Sequence, residues 1–170
     1  MDAFLAAVSR REVREYAARP IPVDAERRIL ETGRLAGNSK NRQQRRFVVV
    51  RDPARVEQVA GAVYEPANVR GAALVVAVVI HGRGPTAFDA GRAAQNMMLV
   101  AWGDGIGSTP NGIADADAMA RALDLGEEER AAIVLSFGYP ARPRDPEKRS
   151  PDEWIARADR LPYDEIVTTL

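Results

Sequence analysis

Residues 86–107, TAFDAGRAAQNMMLVAWGDGIG, decide how this chain folds. The stretch predicts the longest helix of the protein. Thr86 stands where an N-cap is wanted, with Asp89 three residues on to complete a capping box, and Pro85 prevents the helix from continuing backwards. Ala90, Ala93, Ala94, Met97 and Ala101 recur at helical spacing. Asp89, Arg92 and Asn96 form a polar stripe on the other side. Residues 97–102 are apolar all round, which a helix tolerates only when enclosed. Gly103, Gly105 and Gly107 end it. The Ala- and Gly-rich first half lets another backbone come close. Such a helix belongs at the centre of a fold, and at a subunit contact.

Working outward, residues 72–80 are nearly continuous β-branched sequence and predict an interior strand covered on both faces. Further strands are expected at 47–50 and 131–137. Asp2 can cap a short first helix with Phe4, Leu5 and Val8 on its apolar face. Asp24 is the expected cap of a second helix, carrying Ala25, Ile29, Leu30 and Ala36 and stopped by Gly37. The polar loop GNSKNRQQRR follows. Asp52-Pro53 opens a helix with Val56, Val59, Ala60 and Val63 buried. Residues 65–71 read as a loop and 108–112 as a tight turn. Asp115 starts a helix with Ala116, Met119, Ala120 and Leu123. Beyond Gly138-Tyr139-Pro140 the composition turns to proline and charge, an extended arm studded with Trp154, Ile155, Leu161, Tyr163 and Ile166 that should dock on something. There are no internal repeats.

Composition excludes several functions. With 170 residues the chain is one domain or one subunit of a dimer; 24 bases balance 24 acids, so no global field points to nucleic acid or a membrane. The absence of Cys removes thiolate metal sites and Cys nucleophiles, and a lone His81 removes multi-His metal sites. The N-terminus has too short an apolar run for a signal peptide, and no run is long enough for a bilayer; a cytoplasmic protein is expected. Residues 82–87 match G-x-G-x-x-A between a strand and a helix, yet the acid a dinucleotide site needs, Asp104, falls among glycines at the helix end, so the match is read as accidental. Arg10, Arg11 and Arg14 read either as a solvated basic helix end or as a phosphate grip. Alone, the cluster favours the first.

Several separated segments together change that balance. SRREVREY, GNSKNRQQRRFVVV, DAGRAAQNMMLVAWGDGIGS, FGYP and KRSPDEW resemble, in order and over most of the chain, the nitroreductase family of FMN-dependent NAD(P)H oxidoreductases. The resemblance implies an α+β fold with a central, mainly antiparallel sheet flanked by helices. It implies a homodimer with FMN at the interface, and one domain in which residues 1–140 carry the flavin-binding body and residues 141–170 form an arm crossing to the partner. By position, Arg10, Arg11, Glu12 and Arg14 match the first FMN segment. Ser39, Asn41 and Gln43 match the loop a partner brings to the flavin ring. Pro110, Asn111 and Gly112 match the segment along the isoalloxazine, and Lys148 and Arg149 match the phosphate clamp. NADPH or NADH would donate hydride through FMN to a small electron-poor acceptor such as a nitroaromatic or quinone, in a ping-pong cycle; the alternative is an FMN-binding sensor or sequestering protein without turnover. No catalytic side chain is implied, because the flavin carries the chemistry. Glu12 stands where the family usually has Ser or Thr, either facing the phosphate or turned away to brace Arg11 or Arg14, the arrangement expected here. Gln44 and Arg45 replace the usual Pro-Trp.

Overall fold

The computed structural model describes all 170 residues. In chain order the elements are α1 (Ala3–Ser9), α2 (Val23–Leu35), β1 (Arg45–Val50), α3 (Pro53–Gly61), α4 (Pro66–Arg70), β2 (Leu74–His81), α5 (Thr86–Gly103), β3 (Gly107–Asn111), α6 (Ala116–Ala122), β4 (Glu129–Gly138), α7 (Pro151–Ala156) and α8 (Tyr163–Ile166). They form two compact units, Arg11–Arg144 and the two chain ends Met1–Arg10 with Asp145–Leu170.

The larger unit is built on one sheet of order β1-β2-β4-β3. All its pairings are antiparallel, with Val49 opposite Val76, Val76 opposite Leu135 and Thr109 opposite Ser136. β2 is buried almost end to end, and its alternation sends the two residue sets to opposite faces. Leu74, Val76, Val78 and Ile80 join Ile29 of α2 and Met97 and Ala101 of α5 in one core layer. Val75, Ala77 and Val79 join Val59 and Ala60 of α3, Val69 of α4 and Met119 of α6 in the other. The uninterrupted apolar run thus signals two covered faces, as expected, in an antiparallel setting. The 18-residue helix α5 is the longest element; Met97, Met98, Ala101 and Trp102 are buried, whereas Leu99 and Val100 stay half-buried.

Five local expectations are corrected. Pro85, not Thr86, is the N-cap of α5, and no side chain caps it; Asp89 instead accepts a hydrogen bond from the Ser39 amide at 3.0 Å. Pro22 rather than Asp24 caps α2, placing Asp24 in the first turn, where its charge still suits the helix dipole; Ala36 is the C-cap, so Gly37 follows directly where the helix stops, as expected. The loop expected at 65–71 holds the short helix α4, opened by Pro66. The turn expected at 108–112 is strand β3, which accommodates Pro110 because it lies at the sheet edge, where a missing N–H costs nothing. The arm expected to be extended contains α7 and α8, α7 being opened by a full capping box between Ser150 and Glu153.

The glycines of the accidental dinucleotide match have another use. Gly82 sits at φ +71°, and a methyl group there would run into the Gln44 amide. The strand after α5, β3, runs in the direction of β2 but does not pair with it, because the antiparallel β4 lies between them, so the adjacent parallel strands of a dinucleotide-binding unit are not formed here.

At the far end of the sheet Arg46 grips Glu129 through two bonds of 2.6 and 2.7 Å. That hydrogen bond, first, and the Gly126 amide, second, hold the Glu129 carboxyl down at about 2. A depressed folded-state value means the contribution is complete above the unfolded carboxylate value of about 4.3 and is lost as pH falls toward 2. Denaturant midpoints of the wild type should therefore drop more steeply across that window than those of Glu129→Gln. Parallel curves would show that the pair contributes nothing.

In the smaller unit α1 packs against α7 and the 3-10 turn Pro146–Lys148. Asp2 caps α1 through the Leu5 amide at 2.8 Å, and the N-terminal ammonium pairs with Glu147 at 3.2 Å.

Candidate functional site

The two ends of the chain bring their cations into one unit. Arg10 is the C-cap of α1, and Lys148 and Arg149 close the 3-10 turn and lead into α7. The Arg149 guanidinium lies 5.1 Å from the centroid of the Trp154 ring, whose Nε1 donates to the Pro146 carbonyl at 2.8 Å. Stacking of this kind fixes the direction of a guanidinium without using its in-plane donors. Arg10 and Arg149 are half-buried and Lys148 is exposed.

In the larger unit the segment after Arg10 lies along the start of β3. Glu12 bridges Ser108, and the Val13 amide donates to the Ser108 carbonyl at 3.1 Å. Tyr16 lays its ring over Gly138, so closely that a Cβ there would lie 2.7 Å from the ring, and its hydroxyl donates to the Ser136 carbonyl at 3.2 Å. Burial, then the Glu12 charge, pushes the Tyr16 phenol well above its ordinary value. The Thr109 hydroxyl donates to the Glu12 carboxylate at 3.1 Å, a contact that sequence reading did not foresee. Arg14, exposed, lines an open cavity of about 340 Å³ together with Arg142 and Arg144.

Downstream on β3, Pro110 and Gly112 are exposed and Asn111 is buried. The Asn111 amide donates to the Thr109 and Val134 carbonyls at 3.2 Å and to the Ser136 hydroxyl at 2.9 Å; its Oδ1 is buried without a partner. The side chain is therefore committed to the sheet, and in this conformation Asn111 offers a ligand its main chain only. Tyr64, absent from the sequence-derived site, is exposed beside Gly112 and donates its amide to the Gly112 carbonyl at 3.1 Å. A single Tyr after a helix carries no signal that would have found it.

Ser39, Asn41 and Gln43 lie in the loop between α2 and β1. Lys40, Asn41 and Gln43 have φ of 52°, 51° and 54°, the left-handed region that side chains avoid. The conformation costs Lys40 and Gln43 on the order of 1 kcal/mol or more each, whereas Asn enters the region more readily. Asn38 accepts from the Gln43 amide at 2.8 Å, closing the loop on itself. Arg45 uses Nη2, its hydrogens shared, to bond the carbonyls of Gly33, Arg34 and Ala36 at the end of α2. Burial lowers the pKa of its guanidinium, with Asp89 opposing, and Nε and Nη1 are buried without partners. Arg remains charged in such a setting.

The sheet order separates two of these groups. The loop feeds β1 at one edge, while Pro110 and Asn111 lie in β3 at the other, with β2 and β4 between. Three strand spacings amount to about 14 Å. One chain therefore does not bring Ser39, Asn41 and Gln43 to the Pro110–Gly112 segment.

A sheet of this topology, with the cations of both chain ends in one unit, belongs to a recognisable class. The model of the nitroreductase family matches residues 7–84 and 81–139, and the chain belongs to that family. A protein of Thermus thermophilus named NADH dehydrogenase is 28% identical over 194 residues, covering 91% of this chain and 95% of the relative. A protein of Desulfovibrio desulfuricans, provisionally named a nitroreductase and solved in complex with FMN, is 27% identical with TM-score 0.83, covering 100% of this chain and 98% of that one. A nitroreductase family protein of Clostridium difficile, at 23% identity, shares the fold with TM-score 0.84 over 100% of both chains.

Proposed function

We propose that this protein is an FMN-dependent oxidoreductase that takes hydride from NADPH or NADH and passes it to a small electron-poor acceptor, such as a nitroaromatic or quinone. The observation that carries the reading is the meeting of Arg10, Lys148 and Arg149 in one unit from opposite ends of the chain, at the positions where the family grips phosphate. The donor set fits that group: guanidinium and ammonium are donors without acceptors, and Arg forks match phosphate oxygens. The name of the Thermus relative and the bound FMN of the Desulfovibrio protein support the same pair of cofactors.

FMN, when bound, supplies hydride acceptance and donation. The chain's own residues hold and orient. Arg10, Lys148 and Arg149 neutralise the phosphate. The Thr109 hydroxyl donates to the Glu12 carboxylate and holds it against β3. The exposed edge at Pro110 and Gly112 presents main-chain groups to a planar ring. Residues 141–170 act as an arm of this same domain, reaching a partner subunit. A homodimer is the assembly this reading needs, because the Ser39–Gln43 loop and the Pro110–Gly112 segment lie at opposite sheet edges, so a second copy must supply one to the other. Exposed Val23 and Leu35 on α2 and Phe88 on α5 are apolar surface of the kind such a contact covers.

The second reading, a flavin-binding protein without turnover, is favoured by Glu12, an acid where the family usually has Ser or Thr. Steady-state kinetics separate the two. Turnover through one site with alternating donor and acceptor gives parallel double-reciprocal lines. Intersecting lines would refute the ping-pong order, and no NAD(P)H consumption with any quinone or nitroaromatic would refute turnover.

A further inference from the structure

The loop between α2 and β1 holds three left-handed non-glycine residues, Lys40, Asn41 and Gln43, and all three side chains are exposed. Core packing therefore does not explain the conformation. Strain of this kind persists only where the surroundings over-determine it, and it gathers at functional positions. The surroundings here are specific. From α5, Asp89 accepts the Ser39 amide at 3.0 Å. One turn further along α5, Arg92 presses its guanidinium onto Gly37, at 5.8 Å from the Phe88 ring centroid. From β1, Arg45 ties down the Gly33, Arg34 and Ala36 carbonyls just ahead of the loop. Gln44 packs on Gly82, and its carbonyl accepts the His81 amide at 3.3 Å. The backbone is gripped just before and just after the strained residues, while their side chains are left outside.

We infer that Asp89, Arg92 and Arg45 are positioning residues that clamp the Gly37–Gln43 backbone in one strained conformation, so that Asn41 and Gln43 are presented, already ordered, to a bound ligand. Arg45 is the informative member. A Trp at this position could pack but could not bond three carbonyls, so this chain has exchanged an apolar support for a polar one. Preorganisation of this kind matters because a misplacement of about 1 Å in a positioning element can cost up to a hundredfold in rate. The identity of the ligand as FMN rests on the function proposed above; the clamp itself does not.

The test uses the full-length protein, with Arg45→Met, Arg45→Lys and Asp89→Asn beside the wild type. Amide hydrogen exchange over residues 37–44 is measured first without added flavin. Exchange in Arg45→Met and Asp89→Asn is expected to rise at least tenfold, with α3 and β2 unchanged and Arg45→Lys partly restored. FMN affinity and acceptor kcat/KM are measured next, and either or both should fall about tenfold in the same two variants. Unchanged exchange in both variants overturns the clamp whatever the flavin data show. Faster exchange with wild-type affinity and kcat/KM makes the contacts merely structural and overturns the positioning role. A wild type that binds no FMN overturns the flavin reading instead, and the exchange data then decide the clamp alone.

Discussion

Arg149→Ala should weaken FMN binding by about one to two decades. A hydrogen bond to a charged partner is worth roughly 1.5–3 kcal/mol, and removing the guanidinium deletes at least one. Arg149 is held in place by the Trp154 ring, and that ring is in turn fixed by its bond to the Pro146 carbonyl. Little side-chain freedom remains to be lost on binding, so most of the interaction should appear as affinity. Arg10→Ala should show a loss of the same size, since Arg10 reaches the same unit from the other end of the chain. Arg157, the C-cap of α7, is the control: it shares the unit and the charge but lies outside the matched phosphate segment, and Arg157→Ala should bind FMN as the wild type does. Apoprotein titrated with FMN and followed by flavin fluorescence gives all three constants. Wild-type affinity in Arg149→Ala would show that the C-terminal clamp is misassigned.

Phe137→Ala should lower the unfolding free energy by about 3–5 kcal/mol. Phe137 is 0% exposed and belongs to the core layer beneath α5. Its backbone is fixed on both sides, opposite Leu74 on β2 and Ser108 on β3. A strand held by two neighbours cannot collapse into the space a missing ring leaves, which places the change at the costly end of its class. Urea unfolding with saturating FMN in both samples keeps ligand linkage constant. A loss under about 1 kcal/mol would mean that the layer repacks freely.

The parts of this fold that were legible in the sequence are those whose signal is local and long. Residues 72–80 could be little other than a buried strand, and the Ala and Met spacing between Ala90 and Ala101 describes a helix without reference to anything else. Short elements were not legible. Residues 107–111 contain Gly, Ser, Pro and Asn, the residues of a turn, and only the neighbouring strand β4 makes a strand of them. α4 has five residues, fewer than two turns, and reads as a loop. Thr86 and Asp89 satisfy the spacing of a capping box, yet the Asp89 carboxylate is taken by the Ser39 amide, a residue 50 positions away. The site shows the same division. The basic residues proposed to hold phosphate are named from their motifs alone, whereas Thr109 beside Glu12, 97 residues apart, depends on tertiary placement. So does Arg45, whose three carbonyl partners lie on the preceding helix and its C-cap.

The central claim is that this chain holds FMN and lets NAD(P)H reduce it. The most direct measurement is the absorbance of the purified protein, reconstituted with FMN and freed of excess, before and after anaerobic addition of NADH or NADPH. The account predicts a yellow protein whose flavin bands bleach with either donor and return when a quinone or nitroaromatic is added. A protein that retains no FMN after reconstitution would contradict the account at its root, and one that stays yellow with both donors would contradict the oxidoreductase reading and leave a flavin-binding protein without turnover.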